Sequence, residues 1–175
     1  IPFMPARDFR YHLLSIGVNR EANGATVCSG ERDAFGLSWT FAQLGYWRAD
    51  RNRCLTGAQA AQPAVEGHLA SCTRFDDLDL LLVFWSGHLF AVDLLVETLA
   101  SSSDARLRVL IIDTCHADDR MRRLEAAIAD LPGERRPIVL ASCAADGRAR
   151  ENSVNGYFTA ALLRQLRRPR SNSQA

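Results

Sequence analysis

The sequence predicts an α/β domain, a three-layer α/β/α sandwich with a mostly parallel sheet. Two observations lead there. Short apolar runs with β-branched residues, bounded by turn signals, read as strands buried on both faces. Between them lie longer stretches with the apolar spacing of helices, and strands alternating with helices connect by right-handed crossovers into a parallel sheet.

In chain order, residues 11–18 (YHLLSIGV) form the first such run, and residues 31–44 carry the first helical pattern. Residues 46–55 (YWRADRNRCL) are too charged for a buried strand and read as a weaker edge strand, followed by a helical pattern over 58–72. The run 78–85 (LDLLLVFW) predicts a central strand, 91–101 a helix, and 107–113 (LRVLIID) the next strand. A helix over 117–129 is closed by Leu131-Pro132-Gly133, since proline cannot continue a helix and glycine suits its end. Residues 136–142 (RPIVLAS) read as a further strand and 156–166 as the last helix. Residues 1–166 then make one domain, and the polar 167–175 (RRPRSNSQA) reads as a disordered tail.

With 175 residues, 47% of them hydrophobic, the chain can bury one core but hardly two. Its formal charge of +1 gives no field that would favour nucleic acid or an anionic membrane surface. No apolar run approaches the roughly 20 residues of a membrane span. All 21 basic residues are arginine, which removes every mechanism that needs a lysine nucleophile or Schiff base. Five cysteines, an odd number without CxxC spacing, indicate neither a disulfide framework nor a zinc ribbon, and fit a reducing cytoplasm. The start at Ile1 reads as a fragment or processed form, with room for fused or regulatory domains beyond either end.

In open parallel sheets, chemistry gathers at the carboxyl ends of the strands, where loops and helix N-termini converge. Two of the strong strands run there into Ser86-Gly87-His88 and Asp113-Thr114-Cys115-His116. A histidine and a cysteine at the ends of neighbouring strands face each other across about 5 Å. Cys115 also directly precedes a helical stretch, whose N-terminal amides lower a thiol pKa and supply an oxyanion site. Thiolate attack on a carbonyl, with His88 handling the proton, is the natural chemistry of such a pair. Taken singly, a cysteine is ordinarily a small buried hydrophobe. The juxtaposition carries the argument. A nucleotide-binding reading finds no support, because residues 17–24 (GVNREANG) match neither the dinucleotide nor the P-loop pattern.

Seven blocks in one order make the chain resemble the caspase-like cysteine proteases, the metacaspase and bacterial branch above all. They are LLSIGVNR at 13–20, ERDAFGL at 31–37, LGYW at 44–47, LLLVFWSGH at 80–88, VLIIDTCHA at 109–117, IVLASCAADGRARE at 138–151 and GYFTAALLRQL at 156–166. The resemblance implies that His88 is the catalytic base and Cys115 the nucleophile, acting without a cofactor on a protein or peptide substrate. Strand periodicity independently puts Asp113 beneath Cys115 and Ser86 beneath His88. By resemblance these two, with Asp33, line the primary specificity pocket. Val27 stands where animal caspases carry their pocket arginine. The implied cleavage is therefore after Arg or Lys, not after Asp. Two features depart from the family: His88 and Cys115 are only 27 positions apart, and Leu89 stands where a glycine usually completes the oxyanion hole. If that shortening is native, the alternative is a catalytically silent caspase-like module for scaffolding or signalling. Calcium activation, known in the branch, has only Asp118 and Asp119 to suggest it here, and the two read rather as a helix N-terminal pair.

Overall fold

The computed structural model describes residues 9–20, 29–46, 51–71, 75–76, 78–102, 104–114, 119–142 and 156–168. Strands and helices alternate along these residues: β1 (Arg10–Val18), α1 (Gly30–Gln43), β2 (Arg53–Leu55), α2 (Gln62–Ser71), β3 (Asp79–Gly87), α3 (Val92–Ser101), β4 (Leu107–Asp113), α4 (Asp119–Ala129), β5 (Ile138–Ala141) and α5 (Tyr157–Leu166). The five strands form one sheet in the order β2-β1-β3-β4-β5, with every neighbouring pair parallel. Helices cover both faces, so the molecule is a three-layer α/β/α sandwich.

Period-2 alternation divides each central strand between two cores. Leu14, Ile16 and Val18 of β1, Leu81, Val83 and Trp85 of β3, and Leu110 and Ile112 of β4 pack with Val65 and Leu69 of α2, Leu95 and Leu99 of α3, and Met121 and Leu124 of α4. The intervening positions Leu13, Phe84 and Ile111 face Ala34, Leu37 and Phe41 of α1 and Leu163 of α5. That division decides which helices can reach which strand ends.

Three details differ from the sequence expectations. The predicted edge strand 46–55 is only Arg53–Leu55 among the described residues. The predicted helix 58–72 breaks into a 3-10 turn at Gly57–Ala60 and α2, because Ala61 between them is extended. Pro63 falls in the first turn of α2, where its missing N–H is not needed. The run 136–142, expected as a further strand, is shorter as β5 and forms an edge among the described residues, with Ile138 53% and Leu140 43% exposed. Of the segment expected to be a tail, Arg167 and Arg168 are described, and the Arg167 guanidinium donates from Nε to Thr40 Oγ1 at 3.1 Å.

Candidate active site at the carboxyl edge of the sheet

The strand order reverses between β1 and β3, which makes their carboxyl ends the switch point where sites gather in open parallel sheets. Gly17, Ser86 and Asp113 lie abreast there, since Gly17 pairs with Ser86 and Ser86 with Asp113. The strand end is shaped by glycine. A Cβ on Gly17 would overlap the Gly30 carbonyl, so only glycine lets the start of α1 settle against β1. Asn19 then accepts the Glu31 N–H at 2.9 Å and caps that first turn in place of a side chain at Ser29.

This docking delivers Asp33, in the first turn of α1, to the face that carries Ser86. Asp33 is completely buried, and Ser86 donates its hydroxyl to Asp33 Oδ2 at 2.8 Å. From the same face α5 approaches with its own N-terminus. Gly156, the N-cap, donates its N–H to Asp33 Oδ2 at 3.2 Å. Thr159 donates twice to Asp113 Oδ2, from its N–H at 3.1 Å and from Oγ1 at 2.6 Å. A Cβ on Gly156 would overlap Asp113 Oδ2 and lie 3.2 Å from Asp33 Oδ2, so the two carboxylates flank one point. The first-turn amides of α5 have no intrahelical acceptors, and the dipole there favours negative charge. Helix and carboxylates therefore stabilise each other.

The structure thus brings together Asp33, Ser86 and Asp113, the three predicted pocket residues. His88 follows the end of β3 directly. Gly87 has φ 94°, a backbone conformation open to glycine and strained for other residues, so strict alternation stops between Ser86 and His88. The His88 main chain is held on both sides: its N–H donates to the Val18 carbonyl at 3.1 Å, and its carbonyl accepts Trp85 Nε1–H at 2.9 Å. Its side chain is buried, and so is Leu89. The Leu89 carbonyl accepts Arg120 Nη1 at 2.8 Å, and Phe90 packs edge-on to Trp85 at 5.0 Å. The short link from His88 to α3 is thus a packed turn.

Cys115, the expected nucleophile, lies outside the described residues, as do His116, Val27 and Asp118. Asp119 opens α4 with a 93% exposed side chain. Among the described residues the one cysteine is Cys54, a free thiol that burial pushes above the usual thiol range, which disfavours a nucleophilic thiolate there.

Sequence reasoning passed over Gly156 and Thr159 as functional positions. A glycine N-cap with a threonine three residues on was the available signal, but nothing local pointed it at Asp113. No protein-family model matches the chain, and no curated protein matches it.

Proposed function

We propose that the chain is a cysteine endopeptidase of caspase-like type that cleaves polypeptides after arginine or lysine. The observation that carries this reading is the pair of buried carboxylates, Asp33 and Asp113, at the carboxyl edge of the sheet and beside the strand end that leads to His88. Two buried carboxylates held side by side by hydroxyl and main-chain donors make a local negative field, and a substrate side chain with a positive tip is the group such a pocket would take. Two positions beyond Asp113 in the sequence stands Cys115.

The mechanism follows from those roles. The Cys115 thiolate attacks the carbonyl carbon of the basic residue, forming a C–S bond and an oxyanion. Collapse of that intermediate breaks the C–N bond, and the His88 imidazolium gives its proton to the leaving amine. Neutral His88 then takes a proton from water, whose oxygen attacks the thioester and releases the acid product and the thiolate. Asp33 and Asp113 hold the basic side chain throughout, and Ser86 orients Asp33. A reducing cytoplasm suits such a thiol.

A peptidyl-arginine chloromethyl ketone tests the reading. Stoichiometric alkylation of Cys115, with loss of peptide cleavage in both Cys115→Ala and His88→Ala, is the expected result. A protein that folds yet neither reacts nor cleaves would instead be the silent scaffold, which the tightly packed His88-Leu89-Phe90 turn would suit.

A further inference from the structure

We propose that Thr159 is a specificity-determining positioning residue, which fixes the plane of the Asp113 carboxylate so that the pocket prefers an arginine fork to a lysine ammonium. This rests on the cation pocket proposed above and goes one step further, to what sets its choice between the two cations.

The hydroxyl of Thr159 differs from those of the other described helical threonines in taking a carboxylate rather than a main-chain carbonyl as its acceptor. Among the described residues, Thr40 in mid-helix returns Oγ1–H to the Gly36 carbonyl at 2.8 Å, and Thr98 shares its own between the Leu94 carbonyl at 2.8 Å and the Leu69 carbonyl of α2 at 3.2 Å. That is the ordinary fate of a helical threonine hydroxyl. Thr159, with no exposed surface, lies in the first turn of α5, where no carbonyl of that helix stands four residues back, and gives its hydroxyl to a strand carboxylate. The N–H bond to Asp113 is what any helix start would make with a nearby anion. The second donor, from the side chain, is an addition to it.

Two donors on one oxygen determine the torsion of a carboxylate that would otherwise turn about its last bond. Among the described residues, both hydrogen bonds of Asp113 fall on Oδ2, which leaves Oδ1 for a ligand. Gly156 lets the helix come this close, since a Cβ there would overlap Asp113. A guanidinium binds a carboxylate through parallel N–H···O bonds and needs the carboxylate plane to be correct, whereas an ammonium is a point charge indifferent to that plane. Loosening Asp113 should therefore penalise arginine more than lysine.

The test uses Thr159→Val, which keeps shape and N–H but removes the hydroxyl, with thermal unfolding to check the fold. Thr159→Ala replaces it if the valine variant does not fold. Fluorogenic peptides differing only in Arg or Lys at the cleaved position provide the readout. Loss of one charge-assisted bond should raise KM for the arginine peptide about tenfold and for the lysine peptide about twofold, with kcat little changed and Thr159→Ser restoring the preference. Equal effects on both peptides, a fall in kcat alone, or no recovery in Thr159→Ser would overturn the proposal while leaving the peptidase reading intact. If the wild type cleaves neither peptide, the peptidase reading fails, and calorimetry with benzamidine and benzylamine decides the positioning role. A wild-type preference for the forked benzamidine that vanishes in Thr159→Val supports that role. Absent binding, or an unchanged preference, refutes it.

Discussion

Asp113 serves two masters, capping α5 and facing the proposed substrate cation, and the two can be separated by removing its charge but not its shape. In Asp113→Asn the amide oxygen still accepts from Thr159, so α5 keeps its cap and only the helix-dipole attraction for an anion is lost, about 1 kcal/mol. A guanidinium in the pocket loses a charged partner in a buried setting. Cleavage after arginine should fall by roughly 10² or more in Asp113→Asn and in Asp33→Asn, while melting temperatures move by only a few degrees. Steady-state kinetics on an arginine peptide measures this, and near-wild-type kcat/KM in either variant removes that carboxylate from the pocket. Strand periodicity puts Ser86 beneath His88, and its hydroxyl bonds Asp33 across the helix–sheet boundary. Gly87 interrupts the two-residue rule before His88, and Cys115, the residue expected above Asp113, lies outside the described residues.

At the scale of elements, the turn between β3 and α3 stores strain. Ala91 immediately precedes α3 with φ 53°, in the left-handed region that costs a residue with a Cβ about 1 kcal/mol. Ala91→Gly should therefore stabilise the domain by a few tenths to about 1 kcal/mol, the gain being limited by glycine's greater freedom when unfolded. Urea unfolding decides the sign, and a lower midpoint would mean that the alanine methyl contributes more by packing than the backbone loses by strain. If the chain is the proposed peptidase, the link from α4 to β5 is a segment it could cut in itself, since its arginines lie between the strand leading to Cys115 and the next strand. Residues 132–136 are exposed, and Gly133–Arg135 form a 3-10 turn. Arg136 folds back on the end of α4, donating from Nη2 to the Ala129 carbonyl at 2.6 Å and from Nε to the Leu131 carbonyl at 2.8 Å. A protease grips extended chain, so cleavage here requires the short turn to open, which is easily reached in an exposed segment. Pro137 protects the bond after Arg136, leaving Arg135-Arg136 as the expected cut. Intact-mass analysis after incubation should find a fragment beginning at Arg136 in the wild type and none in Cys115→Ala.

Across the whole molecule, the end of the sheet opposite the site is held by charge. Asp79 at the start of β3 accepts from Arg10 Nε and Nη2 at 2.7 and 3.0 Å, lies 2.8 Å from His12 Nε2, and also accepts the Asp76 N–H at 2.8 Å. Burial pushes the Asp79 carboxyl up, but the Asp76 amide, His12 and Arg10 together outweigh it and hold the group below the usual carboxylate range. Asp76, bonded to Arg10, is also held low. The unfolded chain therefore binds these protons more readily than the folded one. The stabilisation is present above the ordinary aspartate pKa of about 4 and is lost as pH falls through the lower folded values. In Asp79→Asn the urea midpoint should drop at neutral pH and depend less on pH below about 4 than in the wild type, and an unchanged acid slope would show that Asp79 does not contribute. The sequence by itself determined the alternation of strands and helices, the two faces of each central strand and the end of the sheet where chemistry gathers. These follow from periods of two and about 3.6 residues, which are local. It also set Ser86 and Asp113 at neighbouring strand ends, whereas Asp33 reached the pocket only by resemblance. Tertiary structure alone decided that Asp33 meets Ser86 and Gly156, that Asp113 meets Thr159, and that β5 lies exposed at the edge. Those meetings join residues 46 to 123 positions apart. They depend on how closely two helices dock on one face of the sheet, and that distance is set by glycines at the contact, which no local pattern reveals.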